Sequence, residues 1–215
     1  MAKELFKALS LLLHYPDETL QGMVPEIVDV LKNQTLVPSD ITARLITLAT
    51  RLLESDLLES QTLYVSQFDQ TRMLSLYLFE HVHGDSKDRG QAMVDLRVFY
   101  EDHGLVMSSQ EFPDYLPLLL EFISFSSVTD SDSLLSNVRP IIVLLADRLA
   151  QRKSIYNVIM EAILALTPQD QVHLNVEVAS PSQEPATLRD EMWEEEPVLF
   201  NSGSLQTKIC AGGVL

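Results

Sequence analysis

Cysteine is nearly absent from this sequence: Cys210 is the only one among 215 residues. A single cysteine makes no internal disulfide and no cysteine-rich zinc or iron–sulfur site, and the composition fits a reducing compartment. Glycine is scarce as well, with seven residues too scattered to cradle a phosphate. No Walker loop, GxGxxG, GxSxG or HExxH pattern occurs. No apolar run approaches the ~20 residues that cross a bilayer. The apolar stretch after Lys3 and Lys7 is short, follows Glu4 and lacks a small-residue cleavage site, so it does not read as a secretion leader. Cations are in deficit, with 15 Lys and Arg against 31 Asp and Glu and a net charge of −16. That balance disfavours unaided binding to nucleic acid or anionic lipid. It favours solubility and attraction to a basic partner. A cytoplasmic protein is expected.

What fills the chain is helical periodicity, from the start to about residue 166. Leu5, Leu9, Leu12 and Leu13 share one face of a first helix, which Pro16 ends. Asp17 is placed to cap a second helix, with Pro25 inside it predicting a kink or a restart. Ser39 or Asp40 caps a third, bearing Ile41, Leu45, Leu48 and Leu52. A further segment carries Leu58, Leu63, Tyr64 and Phe68, after which Asp69 reads as the cap of a helix bearing Leu74, Tyr77, Leu78 and His81. Ala92, Leu96, Phe99, Tyr100 and His103 mark an amphipathic helix between Ser86 and Gly104. Pro117 suits a first helical turn. The Ser/Thr/Asp-rich residues 124–133 read as a connector before a long stripe bent at Pro140, and a last stripe ends near Leu166. The fold class is therefore all-α, a single bundle of about eight helices over residues 1–166.

Beyond residue 166 the stripe stops and four of the ten prolines follow. Eight carboxylates face only Arg189 and Lys208. Residues 167–215 read as a flexible acidic tail, in which residues 172–178 alternate like a short strand. Trp193 amid Glu194, Glu195 and Glu196 marks either an anchor by which the tail folds onto the body or a partner, or a solvated spacer.

Catalytic groups do not converge in the sequence, and no catalytic residue, resident metal or cofactor is assigned. His81, His83 and Asp85 come nearest to a metal motif. Residues two apart on a helix point about 200° apart, and no further ligands support them. Glu111, Asp114 and Glu121 gather around a proline-bounded turn, with Glu121 set between Leu120 and Phe122. That carboxylate is read either as a solvent-facing helix residue or as one held at the edge of a groove. Two alternatives stay open from the residues alone: a small metal-dependent helical enzyme, and an inert bundle used for scaffolding.

Several blocks together resemble the NarJ family, the delta subunit or molybdenum-cofactor assembly chaperone of respiratory nitrate reductase, within the TorD-like maturation chaperones. They are Leu11-Leu12-Leu13-His14-Tyr15-Pro16-Asp17-Glu18, residues 64–78, residues 81–90, and Glu111-Phe112-Pro113-Asp114-Tyr115-Leu116-Pro117 with Leu120-Glu121-Phe122. The segment from Trp193 to Val198 is similar to a stretch near that family's C-terminus. Tyr115 stands where the signature has histidine: it keeps an aromatic body and a hydrogen-bonding tip but carries no positive charge.

The resemblance implies a TorD/NarJ-like helical, non-catalytic chaperone without a cofactor of its own. Its partner would be the apo catalytic subunit of nitrate reductase, bound partly through an N-terminal signal-like peptide and held until the molybdenum cofactor is inserted. Cofactor-biosynthesis proteins are further expected partners, and another molybdoenzyme of the same class is the alternative client. A basic amphipathic peptide suits an acidic protein with an apolar groove. Tyr77, His81 and Asp85 from one helix end, with Asp114, Tyr115 and Glu121 from the other block, are expected to border that groove. Tyr77 and His81, four apart, would share a helical face.

Overall fold

The computed structural model describes residues 2–82, 87–107 and 111–168. Eight α-helices run in the order α1 (Ala2–Leu12), α2 (Glu18–Asn33), α3 (Ser39–Glu54), α4 (Leu57–Phe68), α5 (Lys87–Asp102), α6 (Leu116–Phe125), α7 (Val128–Gln151) and α8 (Asn157–Leu166). Two 3-10 turns, Arg72–Leu74 and Leu78–His81, separate α4 from α5. Among the described residues no strand forms beyond one isolated antiparallel bridge, Tyr77 with Tyr115. The bundle is all-α, as the periodicity predicts. Residues 169–215 of the expected tail, with the strand-like residues 172–178 and Trp193, and the cap at Ser86 lie outside the described residues.

The core follows the apolar stripes. Leu5, Leu9 and Leu12 of α1 are fully buried, as are Leu31 of α2, Leu45 of α3 and Leu145 and Leu149 of α7. Helix α1 packs along α6, α2 along α3, and α7 folds back on α8. The buried Ser10 hydroxyl donates to the Pro117 carbonyl at 2.7 Å and locks α1 to the first turn of α6. That acceptor lies in the first helical turn, where Pro117 sits as its ring predicts.

Local chemistry sets the helix ends. Asp17 caps α2 through its side chain, which accepts from Leu20 N–H at 2.7 Å. Gly104, at φ +87°, ends α5 with paired bonds from Gly104 N–H to Glu101 and from Leu105 N–H to Tyr100, the geometry that favours glycine. At the end of α7 the same pattern recurs with Lys153 at φ 52°.

Four expectations are corrected. Pro25 lies inside the continuous helix α2, so no helix restarts there, and Pro140 likewise lies inside the continuous helix α7. Ser39 is the first residue of α3, with Pro38 before it and no side-chain cap. Residues 124–133 are not a connector, because α7 begins at Val128. Ser127 accepts from Asp130 N–H while its hydroxyl donates to the Asp130 carboxylate, so the Ser/Asp content that read as loop is helix-capping chemistry. Finally, Asp69 closes α4 instead of opening a new helix. Its N–H bonds back to Val65 at 3.1 Å.

Candidate functional site

The chain after α4 bends at Leu76, is extended at Tyr77 and runs against the loop before α6. Leu78 N–H donates to the Asp114 carbonyl and Leu116 N–H to the Leu76 carbonyl, both at 2.9 Å. This short pairing needs an extended backbone, which explains why no helix spans Leu74 to His81. It sets Tyr77 beside Tyr115, with ring centroids 5.2 Å apart. The edge of Phe112 meets Tyr77 at 5.9 Å.

Tyr115 reaches inward as well. Tyr64 donates its hydroxyl to the Leu13 carbonyl at 2.9 Å. Its oxygen is therefore left to accept from Tyr115, 3.2 Å away. Burial pushes the Tyr115 hydroxyl up to about 12, so it stays a neutral donor. His14 meets Tyr115 edge-on at 6.1 Å, and Tyr15 meets Tyr64 edge-on at 5.6 Å. Tyr15 and Phe112 remain 46% and 57% exposed, so one edge of this aromatic cluster is open to solvent.

The carboxylates surround it. Asp114 is fully buried; its Oδ2 accepts from Phe79 N–H at 3.0 Å, and its Oδ1 has no hydrogen-bond partner. Burial holds this carboxyl above the usual aspartate range, against the pull of the Phe79 N–H and of Arg89. Arg89 itself pairs with Glu80 at 3.7 Å. Burial raises the Tyr77 hydroxyl, and Glu111, Asp114, Asp69 and Glu80 raise it further, a sign of how many negative charges face this ring.

The remaining expected residues divide. Glu121 forms an ion pair with Lys7 across the α1–α6 seam. Its charge reaches His14, and through that ring the aromatic cluster. His81 is buried and faces elsewhere: its Nε2 donates to the Ser75 carbonyl at 2.8 Å, while Nδ1 lies 3.4 Å from Arg148 Nη1 and accepts from it. The expected shared helical face of Tyr77 and His81 is absent, because Tyr77 lies in the extended segment and His81 ends a 3-10 turn. With both ring nitrogens engaged, His81 is a structural pin. Asp85 and His83 lie outside the described residues, and no group of three metal-ligating side chains occurs among those described.

His14, Tyr15, Tyr64 and Lys7 complete the site without having been chosen from the sequence. His14 and Tyr15 lie in one resembling block and Tyr64 in another, and only the fold brings the two blocks together.

The family model of the nitrate reductase delta subunit matches residues 34–156. The chain is 39% identical over 196 residues to the nitrate reductase molybdenum cofactor assembly chaperone NarJ of Escherichia coli, covering 89% of this chain and 83% of that one. The chain belongs to the nitrate reductase delta subunit family. A second relative, NarW of E. coli, is 38% identical over 92% of this chain and 84% of its own. A solved structure from Archaeoglobus fulgidus, described as a redox enzyme maturation protein, shares the fold with a TM-score of 0.55. It is 23% identical and covers 75% of this chain and 91% of that chain. The expected family is thereby borne out, and in this chain the segments at 11–18, 64–78 and 111–122 together build the aromatic cluster.

The buried His81 and the half-buried His14 give the fold an acid sensitivity. Burial lowers the His81 imidazole below its ordinary value and Arg148 adds to this, against the Ser75 hydrogen bond and Glu80. Burial likewise lowers His14. The unfolded chain takes up these protons near pH 6.5 and the folded chain resists them, so stability is held above about pH 6.5 and lost as pH falls below it. Urea midpoints are expected to drop between pH 7 and 5.5, and to drop less in His81→Gln, whose amide still donates to Ser75. Equal drops in both proteins would remove His81 from this account.

Proposed function

We propose that this chain is a cytoplasmic chaperone dedicated to a respiratory nitrate reductase. It binds the apo catalytic subunit, including its N-terminal signal-like peptide, and supports molybdenum cofactor insertion and assembly of the complex, without catalysing a reaction itself. The observation that carries this reading is kinship along nearly the whole chain with cofactor assembly chaperones of nitrate reductase. The geometry supports the peptide part. Tyr15, Phe112 and Tyr77 offer an aromatic edge, and Asp69, Glu80, Glu111 and Asp114 surround it with negative charge. Apolar residues of an amphipathic peptide would pack on the rings, and its Lys or Arg residues would meet Asp69, Glu80, Glu111 and the ring faces, with the buried Asp114 adding its field.

Calorimetric titration with the N-terminal peptide of the cognate catalytic subunit, against a scrambled peptide of equal charge, tests this. Selective binding that weakens with salt is expected. Equal or absent binding of the two peptides would overturn the peptide part of the proposal.

A further inference from the structure

Helix α3 and the corner between α7 and α8 enclose a second feature, a groove of about 470 Å³. It shares no residue with the aromatic site. Arg44, Leu48 and Arg51 line one side, spaced so that they share a face of α3. Lys153, Asn157 and Val158 line the other. Three of the 15 cations in a chain of net charge −16 therefore face one small space.

These cations are not equivalent. Arg44 is neutralised by Glu161 and Asp40. Glu161 also accepts from Asn157 Nδ2, while Asn157 Oδ1 is buried without a partner. Arg51 and Lys153 pair with no described carboxylate. Asn157 is the first residue of α8, and Tyr156 before it supplies no side-chain cap, so the positive end of the helix dipole also faces this corner. Leu48 and Val158 give the groove an apolar lining.

We propose that this groove binds a small phosphate monoester carrying an apolar or aromatic body. The Arg51 guanidinium matches two phosphate oxygens, the Lys153 ammonium supplies a second charge, and the apolar lining takes the body. The volume lies within the range of small-molecule sites, roughly 300–1,000 Å³. An extended acidic peptide fits less well. Glu54, Asp56 and Glu59 line the depression that adjoins Arg51, and such a chain would run into them. The assignment goes beyond the chaperone reading and does not depend on it.

The test is an NMR titration of the full chain with phenyl phosphate, inorganic phosphate, phenol and an oligo-glutamate peptide. Phenyl phosphate is expected to give saturable shifts at Thr47, Arg51, Ser154 and Asn157, to bind more tightly than inorganic phosphate, and to leave phenol without effect. Arg51→Gln should weaken phenyl phosphate about tenfold, as loss of a charge-assisted contact does. Lys153→Gly should also weaken it severalfold while the thermal midpoint holds or rises, because glycine is the favoured residue at that left-handed position. That variant separates binding from folding. No saturable shift, or shifts indifferent to both substitutions, would overturn the site. Tighter binding of oligo-glutamate would overturn the phosphate assignment, and equal affinity for phosphate and phenyl phosphate would overturn the apolar body.

Discussion

Phe122→Ala is expected to destabilise the bundle by about 3–5 kcal/mol, the cost of emptying a fully buried aromatic position. Phe122 has no exposed surface, and its ring meets Tyr100 at 4.7 Å, Phe125 at 5.5 Å, Phe99 at 5.7 Å and His103 at 5.9 Å. These rings join α5 to α6. Of the described α5 side chains only Tyr100 is buried, and its hydroxyl donates to the Pro113 carbonyl at 3.1 Å, beside Asp114. Helix α5 is otherwise half-exposed, with Val94 and Val98 open to solvent, so few other contacts compensate. Phe122→Leu, which fills most of the volume, is expected to cost markedly less. Urea unfolding followed by circular dichroism measures both. A loss below about 1 kcal/mol for the alanine variant would mean that the surroundings collapse into the space or that α5 is held by other contacts.

The same region shows how far the sequence could be read. Stripes at helical spacing located all eight helices, because burial of one face is what each helix needs and the spacing records that need directly. Caps at Asp17 and Gly104 were legible for a similar reason, since their chemistry acts within four residues. Asp69 was misread because a carboxylate after an apolar helix suits a cap at either end, and only the Val65 carbonyl decides which. Residues 124–133 were misread on composition, although the Ser127 to Asp130 spacing was the signal that mattered.

The site was legible in part. Asp114 was visible among the carboxylates around the proline-bounded turn, Tyr115 as a departure from the family signature, and Tyr77 as an aromatic in a resembling block. Their junction was not, because the Tyr77–Tyr115 bridge lies between segments 38 residues apart and has no periodicity to announce it. His14, 101 residues before Tyr115 in the sequence, carries no local sign of that neighbour either. His81 went the other way: it looked available by spacing, yet its ring is committed to Ser75 and Arg148.

Asp114→Asn is expected to leave the fold intact and weaken the signal-like peptide severalfold, because the buried carboxylate acts on a basic peptide through its field rather than by direct contact. An asparagine oxygen can accept from Phe79 N–H in place of Oδ2, so the backbone pairing of the loop survives. Its amide would occupy the place of Oδ1, which has no partner now. Removing a charge that burial already disfavours should hold or raise stability. The loss would therefore fall on binding, through the negative field around the aromatic edge. Glu121→Gln makes the contrast. Glu121 is partly exposed and bound to Lys7, and breaking such a pair shifts stability by less than about 1 kcal/mol. It also leaves the Lys7 charge unopposed near His14, so any loss of peptide affinity there should be smaller and should fade with salt. Calorimetry at low and high salt separates the two. Unchanged affinity in Asp114→Asn together with a large loss in Glu121→Gln would move the peptide from the Tyr77–Tyr115 junction to the α1–α6 seam.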